Sequence, residues 1–278
     1  MRSTPSMPDN DFGEGRTIVV TGAANGIGAA TAKHLRAQGD HVIGVDLAGV
    51  DVSVDLATLT GRAALVDAIR DLAPHGIDGI VANAGVHRRD AMTVRVNYFG
   101  AIASLEGLRP LLRLDAPRAV LITSRAVLLP VDDGVVEACL AGNEGRAVSL
   151  VDALPGDAEH TAYASSKRAA GRWLRRTAPT AEWAGAGIPL NAVAPGWVNT
   201  PMTVRDRTPA DVARVMAARP MPLGGRAEST DIVPAIAFFL SPANTRITGQ
   251  TLFVDGGGET LMCQEDIWNG TARDEQRM

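Results

Sequence analysis

Cysteine is scarce: two residues in 278, Cys139 and Cys263, far apart and in no metal-ligand spacing. That excludes a disulfide-stapled scaffold and a thiolate metal site, and it reads as a chain for a reduced, cytoplasmic compartment. No apolar run approaches the roughly 20 residues that span a bilayer, so no membrane partner is expected. Nor does the opening stretch, residues 1–15, carry the apolar core of a signal peptide; a flexible tail is expected there. Excess positive charge is absent, with 27 Lys and Arg against 31 Asp and Glu and a net charge of −4. That argues against a nucleic-acid partner. The five histidines (His34, His41, His75, His87 and His160) show no metal spacing and read as surface or strand-end residues, so no metal is expected. Internal repeats are lacking too.

What is there has ordinary globular composition, 46% hydrophobic and 21% charged, in a chain long enough for a sizeable core. The β-branched run Thr17-Ile18-Val19-Val20 reads as a buried strand. It enters Thr21-Gly22-Ala23-Ala24-Asn25-Gly26-Ile27-Gly28, followed by a helix over about 29–37. Glycines between strand and helix permit a tight turn, close approach to a pyrophosphate and close helix packing, and the helix N-terminus offers its amides to phosphate. A second strand, 41–46, ends in Asp46, 18 residues after Gly28, where a carboxylate can accept both hydroxyls of an adenosine ribose. A short strand over 50–54 leads to Asp55-Leu56, then a helix over 59–72 and a strand over 79–82 ending in Asn83-Ala84-Gly85. A long helix over 91–114 carries Ala101, Leu105, Leu108 and Leu112 on one stripe, with Asn97 inside it. The fifth strand, 118–124, delivers Ser124 to its carboxyl end. Such alternation predicts a doubly wound α/β domain, a parallel sheet with helices on both faces. Ligands bind at the carboxyl ends of those strands, where Gly22, Asp46, Asn83 and Ser124 all fall.

In Thr161-Ala162-Tyr163-Ala164-Ser165-Ser166-Lys167, Tyr163 and Lys167 share one helical face. A tyrosine has a reference pKa of about 10, and an ammonium beside it favours the phenolate. The pair suits proton exchange with a substrate oxygen.

With these motifs in order the sequence resembles the short-chain dehydrogenase/reductase family, from about 17 to 258. Pro195-Gly196 and Val254-Asp255-Gly256-Gly257 complete the match. Within the family it looks most like the bacterial 3α-hydroxysteroid dehydrogenase/carbonyl reductase group. That likeness rests on Val42-Ile43-Gly44-Val45-Asp46, Asp55-Leu56 and Val96-Asn97-Tyr98-Phe99-Gly100-Ala101. The resemblance implies a Rossmann-type sheet of about seven strands in one catalytic domain, 16–260, with a small helical insertion at 125–159 and a tail at 261–278. It implies Tyr163 as general acid/base, Lys167 as the residue that depresses its pKa and holds the nicotinamide ribose, and Ser124 as the residue that positions the substrate oxygen. Asn97 would bend the long helix and hold a water linking Lys167 to solvent. Gly22, Asn25, Gly26, Ile27 and Gly28 would serve the pyrophosphate, Asp46 the adenosine ribose, Asp55 and Leu56 the adenine. Asn83, Ala84 and Gly85 would line the adjoining ribose; Pro195, Gly196, Val198 and Thr200 would lie by the carboxamide. The cofactor expected is NAD rather than NADP, because Asp46 would face the extra phosphate and no basic residue stands at 47 or 48.

The implied activity interconverts a secondary alcohol and a ketone on a lipophilic, alicyclic or steroid-like substrate. Related chemistry on another cyclic alcohol, a diol or an enone is the alternative. A non-catalytic NAD-binding regulator is disfavoured because Asn97, Ser124, Tyr163 and Lys167 are all present. Two features depart from the family. Ser124 and Tyr163 lie 39 positions apart, with a much longer segment than usual between them, and Arg125 follows the serine, either near the substrate mouth or in solvent. Stripes of Val136, Cys139 and Leu140, then Val148, Leu150, Val151 and Leu154, predict two short amphipathic helices broken at Gly142-Asn143. They are expected to wall the substrate pocket and to cover the two long helices through which many members form tetramers, the alternative being a peripheral embellishment unrelated to substrate. A homodimer is the expectation, with a homotetramer as the other possibility. Arg88-Arg89 reads as a solvated turn, contact with a cofactor phosphate being the alternative. Thr208-Pro209-Ala210-Asp211 reads as a helix start. It lies in a covering segment that holds Met202, Val204, Val215, Met216, Met221 and Leu223.

Overall fold

A computed structural model describes residues 15–156, 160–204, 208–218 and 221–265. β1 (Thr17–Thr21), α1 (Gly26–Ala37), β2 (His41–Asp46), β3 (Val52–Ser53), α2 (Leu59–Leu72) and β4 (Gly79–Ala82) form the first half. There follow α3 (Met92–Val94), a π-helix (Arg95–Gly100), α4 (Ala101–Leu108), a 3-10 turn (Arg109–Leu111) and β5 (Arg118–Ile122). A second 3-10 turn (Arg125–Leu128) opens the insertion, α5 (Asp133–Leu140) and α6 (Glu144–Asp152), before α7 (Thr161–Thr177). The chain continues through β6 (Leu190–Pro195), β7 (Val198–Asn199), α8 (Pro201–Val204), α9 (Pro209–Ala218) and β8 (Ala227–Glu228). It closes with α10 (Ser229–Leu240), β9 (Thr251–Val254) and α11 (Gly258–Cys263).

Seven strands form one parallel sheet in the order β3-β2-β1-β4-β5-β6-β9. β1 shows why its strands read as continuous apolar runs: Val19 points into one core, Ile18 and Val20 into the other. The first core takes Leu65 and Ile69 of α2, Leu105 and Leu108 of α4, and Leu174 of α7. The second takes Leu35 of α1 with Ile236 and Phe239 of α10. Strand order reverses between β1 and β4, and a cleft opens at the carboxyl ends there, as in other doubly wound sheets. β7 and β8 make a separate two-stranded parallel pair at that end.

The helix expected over 91–114 is not one α-helix. Its stripe residues Ala101, Leu105, Leu108 and Leu112 are buried as expected, but the helix passes through the π turn at Arg95–Gly100. Asn97 explains the turn: its Oδ1 accepts from Val86 N–H (2.7 Å) and its Nδ2 donates to Val86 O (2.9 Å) and Ser166 Oγ (3.2 Å). A wide turn brings that amide against the loop after β4. The insertion is the expected helix pair. Val135, Val136, Cys139, Ala147 and Val151 are buried in the first core, with Asp132 and Asn143 capping the two helices. The expected tail at 261–278 begins as structure, because α11 runs to Cys263; residues 266–278, and the expected tail at 1–15 apart from Gly15, lie outside the described residues. Thr208 and Asp211 exchange capping bonds at the start of α9. Among the described residues, no helix is long and apolar enough to cross a membrane.

Candidate active site

The glycine turn is held by backbone. Gly22 N–H donates to Val45 O (2.7 Å) and Gly22 sits at φ +70°. A Cβ there would stand 2.7 Å from Asn83 Nδ2 and 2.8 Å from Ala84 Cα, so only glycine lets the loops after β1 and β4 approach. Asn83 Nδ2 donates to Thr21 O (2.9 Å) and Gly22 O (3.2 Å), while Thr21 Oγ1 accepts from both Asn83 and Ala84 N–H. Gly28 packs closer still, since a Cβ on it would lie 2.1 Å from Gly22 O. Asn25, at the N-cap of α1, makes no side-chain cap bond, and the first turn carries no acid. The helix therefore presents uncompensated amides to the cleft, a fit for phosphate.

The cleft holds about 650 Å³. It is lined by Gly22, Asn25, Gly26, Ile27, Asp46, Asp55, Leu56, Asn83, Ala84 and Gly85 on one side. Ser124, Tyr163, Lys167, Pro195, Gly196, Val198 and Thr200 line the other. Of the expected cofactor and catalytic residues, only Gly28 and Asn97 stand behind the wall. Half-buried Asp46 accepts from Ala24 N–H (3.0 Å) and Leu47 N–H (2.7 Å), which fixes its carboxylate at the end of β2. These groups fit a dinucleotide: amides for the diphosphate, a carboxylate for a ribose, and a glycine cradle that a Cβ would fill. Arg88 and Arg89 also line the cleft; Arg88 pairs with Asp90 (2.9 Å) and Arg89 donates to Gly156 O (3.2 Å).

At the far end, Ser124 caps its 3-10 turn, accepting from Ala126 N–H (3.1 Å), and it hydrogen-bonds Tyr163. Lys167 is buried, with Nζ donating to Ile122 O (2.8 Å) and lying 5.9 Å from the Tyr163 ring centroid. Burial lowers its pKa to about 8. Burial raises the Tyr163 pKa, with the Ser124 hydrogen bond opposing. This corrects the expectation of a depressed tyrosine: the ammonium is itself desolvated and spends a bond on Ile122 O, so burial dominates. Near neutrality the tyrosine is a protonated donor.

A second pocket of about 120 Å³ opens beside Ser124 and Tyr163. Its walls are largely apolar: Ala126, Leu129, Trp197, Met202, Val215 and Met262. Met262 comes from the stretch expected to be tail. Arg125 also lines this pocket, nearly buried, with Nη1 3.9 Å from Asp255 Oδ2; it does not point to solvent. Neither α5 nor α6 contributes to either pocket among the described residues, so the insertion helices do not form the expected substrate wall. Only the segments flanking them reach it.

A family profile described as enoyl-(acyl carrier protein) reductase matches residues 135–259. The 3-alpha-hydroxysteroid dehydrogenase/carbonyl reductase of Comamonas testosteroni is 35% identical over 251 residues, covering 88% of this chain and 97% of its own length. The chain belongs to the short-chain dehydrogenase/reductase family. Another similar member is the cis-4-hydroxycyclohexanecarboxylate dehydrogenase of Sinomonas cyclohexanicum, 34% identical over 87% of this chain and 96% of its own. Among solved members, the 3-alpha-hydroxysteroid dehydrogenase from Pseudomonas sp. B-0831 complexed with NADH superposes with a TM-score of 0.80. It is 38% identical, with 90% of this chain and 100% of that one covered.

Two residues of this family member escaped the sequence reading. His87 and His160 read as surface histidines, yet their rings lie parallel with centroids 5.1 Å apart and His160 Nδ1 3.1 Å from His87 Nε2. The His87 ring meets Tyr163 edge-on at 4.8 Å, and both histidines line the smaller pocket. Their signal was adjacency: His87 follows Asn83-Ala84-Gly85 by two positions, and His160 precedes Tyr163 by three.

Proposed function

We propose that this protein is an NAD(H)-dependent alcohol dehydrogenase/ketone reductase acting on a cyclic secondary alcohol or its ketone. One observation carries the reading: hydrogen-bonded Ser124 and Tyr163, with Lys167 behind them, stand where the large cleft meets the small apolar pocket. The dinucleotide, when bound, supplies or accepts the hydride. The residues of the chain do the rest. Ser124 hydrogen-bonds and orients the substrate oxygen, and Tyr163 transfers its proton. Tyr163 gives its proton to the oxygen in ketone reduction and takes it back in alcohol oxidation. Lys167 places a positive charge behind the tyrosine and its amine toward the nicotinamide ribose. Asn97 holds the loop after β4 against α7 and orients a water between Lys167 and solvent.

Glycines 22, 26 and 28, with Asn25 and Ile27, hold the diphosphate; Asp46 holds the adenosine ribose, and Asp55 with Leu56 the adenine. Asn83, Ala84 and Gly85 hold the second ribose, and Pro195, Gly196, Val198 and Thr200 the carboxamide. Asp46 selects NAD over NADP. The smaller pocket has room for one alicyclic ring, and a fused-ring or steroid-like substrate would continue over half-exposed Met202 and Met262. Relatives named for a hydroxysteroid and for a hydroxycyclohexanecarboxylate support that substrate class. The insertion covers α7 and the π turn, which leaves β9 and α10, with exposed Leu252 and Phe238, as the edge on which a homodimer forms. Both cysteines are free thiols, consistent with a reducing cytoplasm.

The test is NADH oxidation against a panel of cyclic ketones, run with Tyr163→Phe. Turnover by the wild type, falling at least a hundredfold in the variant while NADH still binds, is the expected result. A variant keeping a tenth of wild-type kcat would mean that the proton comes from another group.

A further inference from the structure

If the insertion helices do not wall the substrate pocket, their contacts show what they serve. α5 is hooked to α7: Asp132 N–H, at its cap, donates to Ser165 Oγ (3.0 Å), and Arg172 Nη1 donates to Glu137 Oε1 (2.6 Å). α6 reaches the opposite way, to Arg62 of α2. Arg62 is 8% exposed, and Glu144, the first residue of α6, receives it with both carboxylate oxygens: Nη1 to Oε2 at 2.6 Å and Nη2 to Oε1 at 3.1 Å. The rest of the guanidinium grips backbone. Nε donates to Leu56 O (2.8 Å), and Nη2 donates to Arg95 O (3.0 Å) and Ala57 O (3.3 Å). Leu56 lines the large cleft and also leans on the π turn, where a Cβ on Gly100 would come within 2.9 Å of Leu56 O.

The planar fork of arginine can take a carboxylate with two parallel N–H groups while its remaining donors reach carbonyls, a bidentate geometry that a lysine's compact ammonium does not match. Without the carboxylate, a nearly buried cation keeps its desolvation penalty, with carbonyl dipoles and the Phe99 ring, 5.8 Å away, to offset it. Its movement toward solvent would release Leu56.

We propose that Arg62 and Glu144 are positioning residues through which the helical insertion sets the adenine-side wall of the cleft, so that the insertion serves cofactor affinity. The proposal rests on the dinucleotide reading of that cleft. Its test compares two ligands by fluorescence titration of the purified full chain: NADH, and reduced nicotinamide mononucleotide, which lacks the adenosine half. For Glu144→Gln the Kd for NADH should rise about tenfold and that for the mononucleotide change less than about twofold, with KM for NADH rising and kcat unchanged. Arg62→Lys, which keeps the charge and loses the fork, should shift the same way. The double variant should be no weaker than the weaker single one, because both break one link. Thermal unfolding reports whether each variant is folded; should Glu144→Gln prove misfolded, Arg62→Lys decides. Wild-type NADH affinity in the folded variants, or equal losses for both ligands, would overturn the proposal. A wild type that binds neither ligand would instead overturn the dinucleotide reading, and this proposal with it.

Discussion

Asp46 offers the sharpest quantitative test of the cleft. Its carboxylate is anchored by two backbone amides, at 3.0 Å and 2.7 Å, and cannot swing away from a ligand without breaking both. A 2′-phosphate on the ribose it faces would sit within about 4 Å, where two unit charges at an effective dielectric near 20 repel by ~4 kcal/mol. Asp46 is half-buried and borders an open cleft, so solvent and salt screen about half of that. The remaining ~2 kcal/mol corresponds to about a thirtyfold preference for NADH. Asp46→Asn keeps the size and one acceptor oxygen but removes the charge. It should bring the ratio of kcat/KM for NADH and NADPH to within about threefold, with a stability loss of ~1 kcal/mol from the mismatched amide. Steady-state kinetics at about 0.05 M and about 1 M salt complete the test, because the Debye length shrinks to about 3 Å at the higher value. The wild-type preference should then narrow. An undiminished thirtyfold preference in Asp46→Asn, or one indifferent to salt, would show that shape rather than charge excludes the phosphate.

Lys167 carries a pH signature. Its folded pKa of about 8 lies below the ordinary 10.5, so between those values the unfolded chain binds more protons and stability rises with pH. The full burden, about 3 kcal/mol at most, is present below pH 8. Lys167→Met lifts it but orphans Ile122 O, so Tm at pH 7 should rise by ~2–4 °C and the gain should fade toward pH 10; a pH-independent difference in thermal melts would refute this. Gly28→Ala should be more damaging than Gly26→Ala. The first drives a Cβ to 2.1 Å from Gly22 O, whereas the second meets only Thr200 Cγ2 at 3.3 Å and bears a left-handed φ of +57° costing ~1–2 kcal/mol. Denaturant melts and NADH titration would rank them, and equal losses would contradict the packing argument. Light scattering should find a dimer; a tetramer joined through α7 and the helix before β5 would refute the covering role of the insertion.

Legibility in the sequence followed the range of the interaction. Strands of the parallel sheet are buried on both faces, so their apolar runs showed, and the cleft residues follow directly from where those runs stop: Gly22, Asp46, Asn83 and Ser124. The insertion helices showed because Val136 and Cys139, or Val148 and Val151, repeat at helical spacing. A bend at Asn97 was expected through the resemblance, but its π form did not show, since the stripe from Ala101 to Leu112 continues in α-helical phase after it and its partner, Val86, lies in the loop after β4. Nor did the state of Tyr163. A lysine four positions on is visible in sequence, but desolvation by the assembled site is not. His87 and His160 were hidden because their nearness to Asn83-Ala84-Gly85 and to Tyr163 gives them no partner until the loop after β4 and the start of α7 meet.

The π turn also has a meaning for the length of the chain. A π turn is how a helix absorbs one residue more than its α-helical path requires. Deleting a single residue between Arg95 and Gly100 would let α3 and α4 join as an uninterrupted helix and keep the buried stripe that follows in place. Asn97 would lose its alignment with Val86 and Ser166. The surplus residue thus serves the loop beside Tyr163 and not the packing of α4, so its loss would be felt first at the site.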